Sequence, residues 1–190
     1  MSIDPGTESV IRGLALHHAV ARVLNAYCQG VDRRDWRLVR TCYHDDATDS
    51  HGAYRGDING LISFLENRHR NVMSSMHVLS NISATASPQG DAALVESYCL
   101  SFQHVRPGAE DPFADASGHS SRTTIACRYI DRFENRPESG WRIARRDVVF
   151  EWMRRELDDD YLALDPSWPS SLRTSADALY ALHPDLAYNP

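Results

Sequence analysis

A carboxylate at the end of an apolar helical stripe is expensive to hold, and this chain has one. Asp32 follows Leu16, Val20, Val23, Leu24, Tyr27 and Val31, which recur three or four residues apart. That spacing puts them on one face of an amphipathic helix. An acid at the end of such a face needs a cation or a hydrogen-bond donor, because burial otherwise disfavours its charged form. A candidate partner comes much later, His77 in the strand-like run Met76-His77-Val78-Leu79. A histidine oriented by a carboxylate is the core of a general base. The expected chemistry is proton abstraction by His77, with Asp32 fixing its tautomer and stabilising the imidazolium that forms. The plainer readings are that Asp32 is a structural cap or an ion-pair partner of Arg33 or Arg34, and that His77 is a core or edge residue.

Composition narrows the alternatives. All 20 basic residues are arginine, and lysine is absent. This excludes Schiff-base chemistry on a lysine, a lysine-bound pyridoxal phosphate and a phosphate-loop lysine. A net charge of −6 argues against nucleic acid as the main partner, since phosphate binding wants a basic face. No apolar run approaches membrane-spanning length, and the N-terminus lacks a basic stretch followed by a hydrophobic one. The expectation is a cytoplasmic protein. Cys28, Cys42, Cys99 and Cys127 lie far apart without C-x-x-C spacing, which reads as reduced, buried thiols. His44-Asp45-Asp46 and His51 lack ligand spacing, so no metal is expected. His17-His18 reads as a solvated helix face.

The elements that must position Asp32 and His77 follow from periodicity. With 190 residues, 42% of them hydrophobic, the chain suits one domain with a real core. Residues 1–8 read as loose, 9–153 as the domain and 154–190 as a C-terminal extension. A long helix is predicted from Ser9 to Val31, with Gly30 near its end. Asp35 can cap a short second helix in which Trp36, Val39 and Tyr43 share a face, broken by His44-Asp45-Asp46. A short strand near 47–51 and a turn around 52–56 follow. Asp57 can cap a third helix, with Ile58, Leu61, Ile62 and Leu65 inward. The period then becomes alternating, giving strands at 73–86, 92–105, 119–134 and 141–152, with a loop at 106–118. Helices followed by strands indicate an α+β fold, with helices on one face of a curved antiparallel sheet and a pocket between them.

With these elements in place, the chain resembles the SnoaL-like branch of the nuclear transport factor 2-like superfamily, the cystatin-like α+β cone. The resemblance rests on the Tyr27-to-Trp36 segment, Tyr43-His44-Asp45-Asp46-Ala47, Tyr54-Arg55-Gly56, Met76-His77-Val78-Leu79-Ser80-Asn81, Arg128-Tyr129-Ile130-Asp131-Arg132-Phe133 and Trp141-Arg142-Ile143. It spans roughly residues 9 to 152. The members it looks most like are scytalone dehydratase, bile-acid 7α-dehydratase and hexachlorocyclohexane dehydrochlorinase, which are lyases without a cofactor. The resemblance implies an Asp–His dyad at Asp32 and His77, a polar residue at Tyr27, a second histidine at His104 and an active-site arginine at Arg146.

It also implies an elimination or isomerisation of a hydrophobic cyclic small molecule, such as a polyketide or steroid, in a homodimer or trimer paired through its sheets. Tyr27 or His104 would protonate a departing hydroxide, and Arg146 would stabilise an enolate or leaving anion. The alternative is a non-catalytic binding module or the scaffold subunit of a ring-hydroxylating dioxygenase. Strand parity puts His77, Leu79 and Asn81 on one face, and Tyr98, Leu100, Phe102 and His104 on one face of the next strand. In the last strand, Trp141 and Ile143 share parity with Arg145, whereas Val148, Phe150 and Trp152 share it with Arg146. A bulge near 145–147, with Arg146 inward, reconciles the two sets.

Overall fold

The computed structural model describes residues 4–107, 118–157 and 161–181. Helix α1 runs from Pro5 to Arg33 and starts earlier than expected, because Asp4 caps it by accepting from the Thr7 amide at 3.1 Å. Its stripe of Leu16, Val20, Leu24, Tyr27 and Val31 is buried. Gly30 does not end the helix. A Cβ there would sit 2.7 Å from Val39 Cγ2, so its role is to let the next helix approach. The helix ends where Arg34 turns left-handed at φ 57°. That conformation is held by the Arg34 guanidinium, which donates to the carbonyls of His69 and Val72.

Helix α2 (Trp36–Thr41) is capped by Asp35, and α3 (Ile58–His69) by Asp57. Tyr43 opens strand β1 (Tyr43–His51) rather than sharing the α2 face, and His44-Asp45-Asp46 lies inside that strand. Pairing with the last strand slips between Tyr43 and Thr48, which accounts for the broken pattern. The other strands are β2 (Tyr54–Asp57), β3 (Val72–Ala86), β4 (Ala92–Val105), β5 (Ser121–Arg136) and β6 (Gly140–Leu157). They form one six-stranded sheet in the order β2-β1-β6-β5-β4-β3. The expected antiparallel sheet is mixed, since β1 pairs parallel to β6 while the other pairs are antiparallel. The helices cover one face, and the core lies between.

Bulges decide which side chains reach that core. The β5–β6 register shifts twice, once between Arg132 and Phe133 and once between Ala126 and Cys127. The first shift leaves Ala144 unpaired, just before the expected position, and brings both Ile143 and Arg146 inward. The second leaves Glu151 unpaired and turns Trp152 onto the outer face, where it is 53% exposed, against the parity reading. In β3 a shift at Ser80–Ser83, with Asn81 at φ 49°, turns Ile82 and Ala84 toward the core. Asn81 therefore leaves the His77 face and is exposed. The loop expected at 106–118 lies largely outside the described residues, as do Asp158-Asp159-Asp160. The extension contributes a short helix, α4 (Ala178–Ala181).

Candidate active site

Asp32 lies in the last turn of α1, and its carboxylate meets β3. His77 Nδ1–H donates to Asp32 Oδ1 at 2.6 Å, the His77 amide donates to Oδ2 at 2.9 Å, and Ser75 Oγ donates to Oδ1 at 2.7 Å. A carboxylate only accepts, so Nδ1 carries the proton and Nε2 is left for other chemistry. Burial pushes the Asp32 pKa up, but the bonds from His77 and Ser75 outweigh it and hold the group below the usual carboxylate range. Burial pushes His77 down, and the Asp32 carboxylate outweighs that and raises the ring above 6.5.

His77 lines a cavity of about 180 Å³ enclosed by α3 and the inner face of the sheet. A cavity of roughly 150 Å³ can hold benzene, so this one has room for a single ring. Phe64, Leu65, Ile125, Val148 and Phe150 supply apolar wall. Polar wall comes from Ser101, which stands opposite His77 in the β3–β4 pair, and from Gln103 and Arg68. Arg68 donates to Gln103 Oε1 at 2.7 Å, and Gln103 donates in turn to Ser101 Oγ at 3.1 Å. His51, at the end of β1, lines the same cavity, with Nδ1 3.6 Å from Asp49 Oδ1. Asp49 is buried and accepts from Tyr43 Oη at 2.8 Å.

Three residues named from the sequence are not on the cavity wall. His104 is on the outer face of β4, because Ser101 and Gln103 occupy the face shared with His77. The apolar side inferred for it is real, but Tyr98, Leu100 and Phe102 there are exposed. Tyr27 is core. Its ring meets Tyr43 and Tyr129 edge-on at 6.0 and 5.9 Å, and burial raises its hydroxyl pKa well above 10, which makes it a poorer proton donor. Arg146 does point inward, but it is fully buried and forked onto Asp131 through two bonds of 2.7 Å. Its guanidinium lies 4.1 Å from the centre of the Tyr129 ring, and it is Tyr129 that reaches the cavity. Arg68, Gln103 and His51 were not singled out as site residues. Only the Asp57 cap and the inward stripe of α3 hinted that the far end of that helix would face a pocket. His44 is committed to the Glu134 carbonyl, at 3.0 Å, and all four cysteines are buried free thiols.

Residues 12–147 match the family described as SnoaL-like domain. The chain belongs to that family. Among solved structures, this SnoaL-like domain is similar to a scytalone dehydratase-like protein from Novosphingobium aromaticivorans, at 16% identity and a TM-score of 0.63 over 85% of this chain and 99% of that one. It is similar to hexachlorocyclohexane dehydrochlorinase LinA-type3 from Novosphingobium barchaimii, at 15% identity and a TM-score of 0.66, covering 81% and 99%. A nuclear transport factor 2-like superfamily protein from Salmonella enterica serovar Typhimurium aligns at 13% identity and a TM-score of 0.60, covering 82% and 99%. These identities carry the fold alone. No functionally curated protein matches the chain by sequence. Among the described residues no helix is long and apolar enough to cross a membrane.

Proposed function

We propose that this SnoaL-like domain is a cofactor-independent lyase or isomerase that removes a proton from a hydrophobic cyclic molecule. The observation that carries the proposal is the 2.6 Å Asp32–His77 bond with His77 on the wall of a ring-sized cavity. A scaffold or simple binding module has no need of a buried acid–base pair. His77 Nε2 takes the proton, and the imidazolium is stabilised by Asp32. General-base help of this kind contributes on the order of 10²–10⁴ in rate, which suffices for a proton made acidic by an adjacent carbonyl.

Arg68 takes the role the resemblance implies for Arg146, facing the charge that develops on the carbonyl oxygen. His51, beside Asp49, is the donor to a departing hydroxide or to the relocated carbon. The roles expected of Tyr27 and His104 fall to these cavity residues. The named relatives include a dehydratase-like protein and a dehydrochlorinase, and expulsion of water or halide after proton abstraction fits the same layout. The exposed apolar outer face, with Met76, Tyr98, Phe102 and Trp152, supports pairing of copies through their sheets.

The test is α-proton exchange of cyclic ketones in heavy water. Wild type should exchange, and His77→Ala should lose on the order of 10³-fold. Equal rates in the two proteins would remove His77 from the chemistry.

A further inference from the structure

None of the described residues of the C-terminal extension lines the cavity. Instead it runs behind the dyad and buries two side chains, Asp177 and Arg173, the latter 8% exposed. Arg173 Nε donates to the Asp32 carbonyl at 3.0 Å, Nη1 to the Val72 carbonyl at 2.6 Å, and Nη2 to the Val31 carbonyl at 2.9 Å and to His69 Nδ1 at 2.6 Å. Val31 and Asp32 belong to the last turn of α1, the end of a helix that favours a cation, and the Val31 carbonyl also accepts from the Arg34 amide at 3.3 Å. Val72 opens β3, and His69 closes α3.

We propose that Arg173 is a positioning residue for the dyad, tying the end of α1, which carries Asp32, to the start of β3, which carries His77. The three donors to the Asp32 carboxylate all come from β3, so the dyad distance depends on how α1 sits against that strand. Arg173 is the side chain that holds both main chains at once, at Asp32 itself on α1 and at Val72 on β3. Arg34 assists from within α1, through the His69 and Val72 carbonyls.

A second anchor keeps the segment in place. Asp177 is buried, accepts from the Leu172 amide at 2.8 Å and lies 3.2 Å from Arg33 Nε. The charged and titratable groups around the Arg173 guanidinium are Asp32 and Arg33 from α1, its capping residue Arg34, and Arg68 and His69 from α3. Burial and the neighbouring Arg34 lower the Arg173 pKa to about 10, which leaves it charged at neutral pH. His69 must accept from it, so the fork requires a neutral His69.

This inference rests on the dyad being the reactive centre, but its test reads the dyad directly. The His77 imidazole is followed by ¹⁵N NMR through a pH titration in full-length wild type, Arg173→Met, Arg173→Lys and Asp177→Asn, alongside the ketone exchange rate. Arg173→Met should lower the His77 midpoint by about 0.5 and the exchange rate by roughly 10- to 100-fold, with KM unchanged. Arg173→Lys keeps the charge without the fork, so it should fold and fall part of the way. Asp177→Asn keeps an oxygen for the Leu172 amide and removes only the charge facing Arg33, so it should leave the midpoint where it is.

An unchanged His77 midpoint in folded Arg173→Met would overturn the proposal, reducing Arg173 to a fastener of the extension. Should the Met variant not fold, an unchanged midpoint in the Lys variant would do the same. An equal drop in Asp177→Asn would assign the effect to the whole extension and overturn the role of Arg173. A His77 midpoint that follows Arg173, in a protein that exchanges no ketone, would uphold the positioning role while sinking the proposed reaction.

Discussion

Two carboxylates in this molecule are buried against a basic side chain at nearly the same distance, and their surroundings differ. Asp32 meets His77 at 2.6 Å and Asp131 meets Arg146 at 2.7 Å. His77 reaches a cavity, and an imidazole can take up and release a proton near neutral pH. Arg146 is fully buried among Tyr27, Tyr43 and Tyr129. Burial works against its charge, but Asp131 holds its pKa well above the ordinary value, so it never releases a proton. A buried ion pair becomes chemistry when one partner can change protonation and touches a space that a ligand can enter. Otherwise it is architecture.

The largest expected effect would break the structural pair. Arg146→Met leaves Asp131 buried and alone, and should cost about 3–5 kcal/mol in urea denaturation. A variant of native stability that had lost its exchange activity would instead bring Arg146 into the chemistry. Asp32→Asn sharpens the other side of the comparison. It should slow exchange by roughly 100-fold with a smaller loss of stability. His77 must be neutral to accept a proton, so the wild-type rate should rise with pH through a midpoint above 6.5, following the raised His77 pKa. In Asp32→Asn burial acts unopposed, and that midpoint should move down. A wild-type profile flat across this range would separate His77 from the rate.

The smallest effect concerns His69. Burial, then Arg68 and Arg173, hold its pKa well below 6.5. The folded state therefore binds fewer protons than the unfolded chain below that value. Its contribution to stability is full above pH 6.5 and is lost as pH falls. His77 acts in the opposite sense, contributing fully below 6.5 and losing that contribution as pH rises through its raised value. His69→Gln removes only the first contribution, so between pH 6.5 and about 5 its denaturation midpoint should fall less than that of wild type. Identical falls would place the acid sensitivity elsewhere.

Much of this layout is legible in the chain. The stripe from Leu16 to Val31 defines α1, and Asp35 and Asp57 mark the starts of α2 and α3 through local capping. Asp32 and His77 stand out because each breaks an apolar pattern. His104 and Trp152 were placed less well, for one physical reason. A strand's parity assigns side chains to two faces but does not say which face the helices cover, and a bulge reverses the assignment without any mark in the alternation. The Arg68–Gln103 pair and the Asp49–His51 pair were invisible as sites because their members come from separate elements or sit at strand ends whose curvature decides what they face.

By itself, then, the sequence determined the three N-terminal helices, the long strands after them, the family resemblance and Asp32 and His77 as candidates, because periodicity, caps and an acid out of place are local features of the chain; strand β2 at Tyr54–Asp57 read as a turn. Only the tertiary structure decided which basic side chain reaches a cavity and which is enclosed in the core. It also decided that the cavity is walled by Arg68, Gln103 and His51, and that Arg173 returns from the far end of the chain to lie behind Asp32. Those outcomes depend on how a bulged, mixed sheet curves around α1 and α3, which no short stretch of residues encodes.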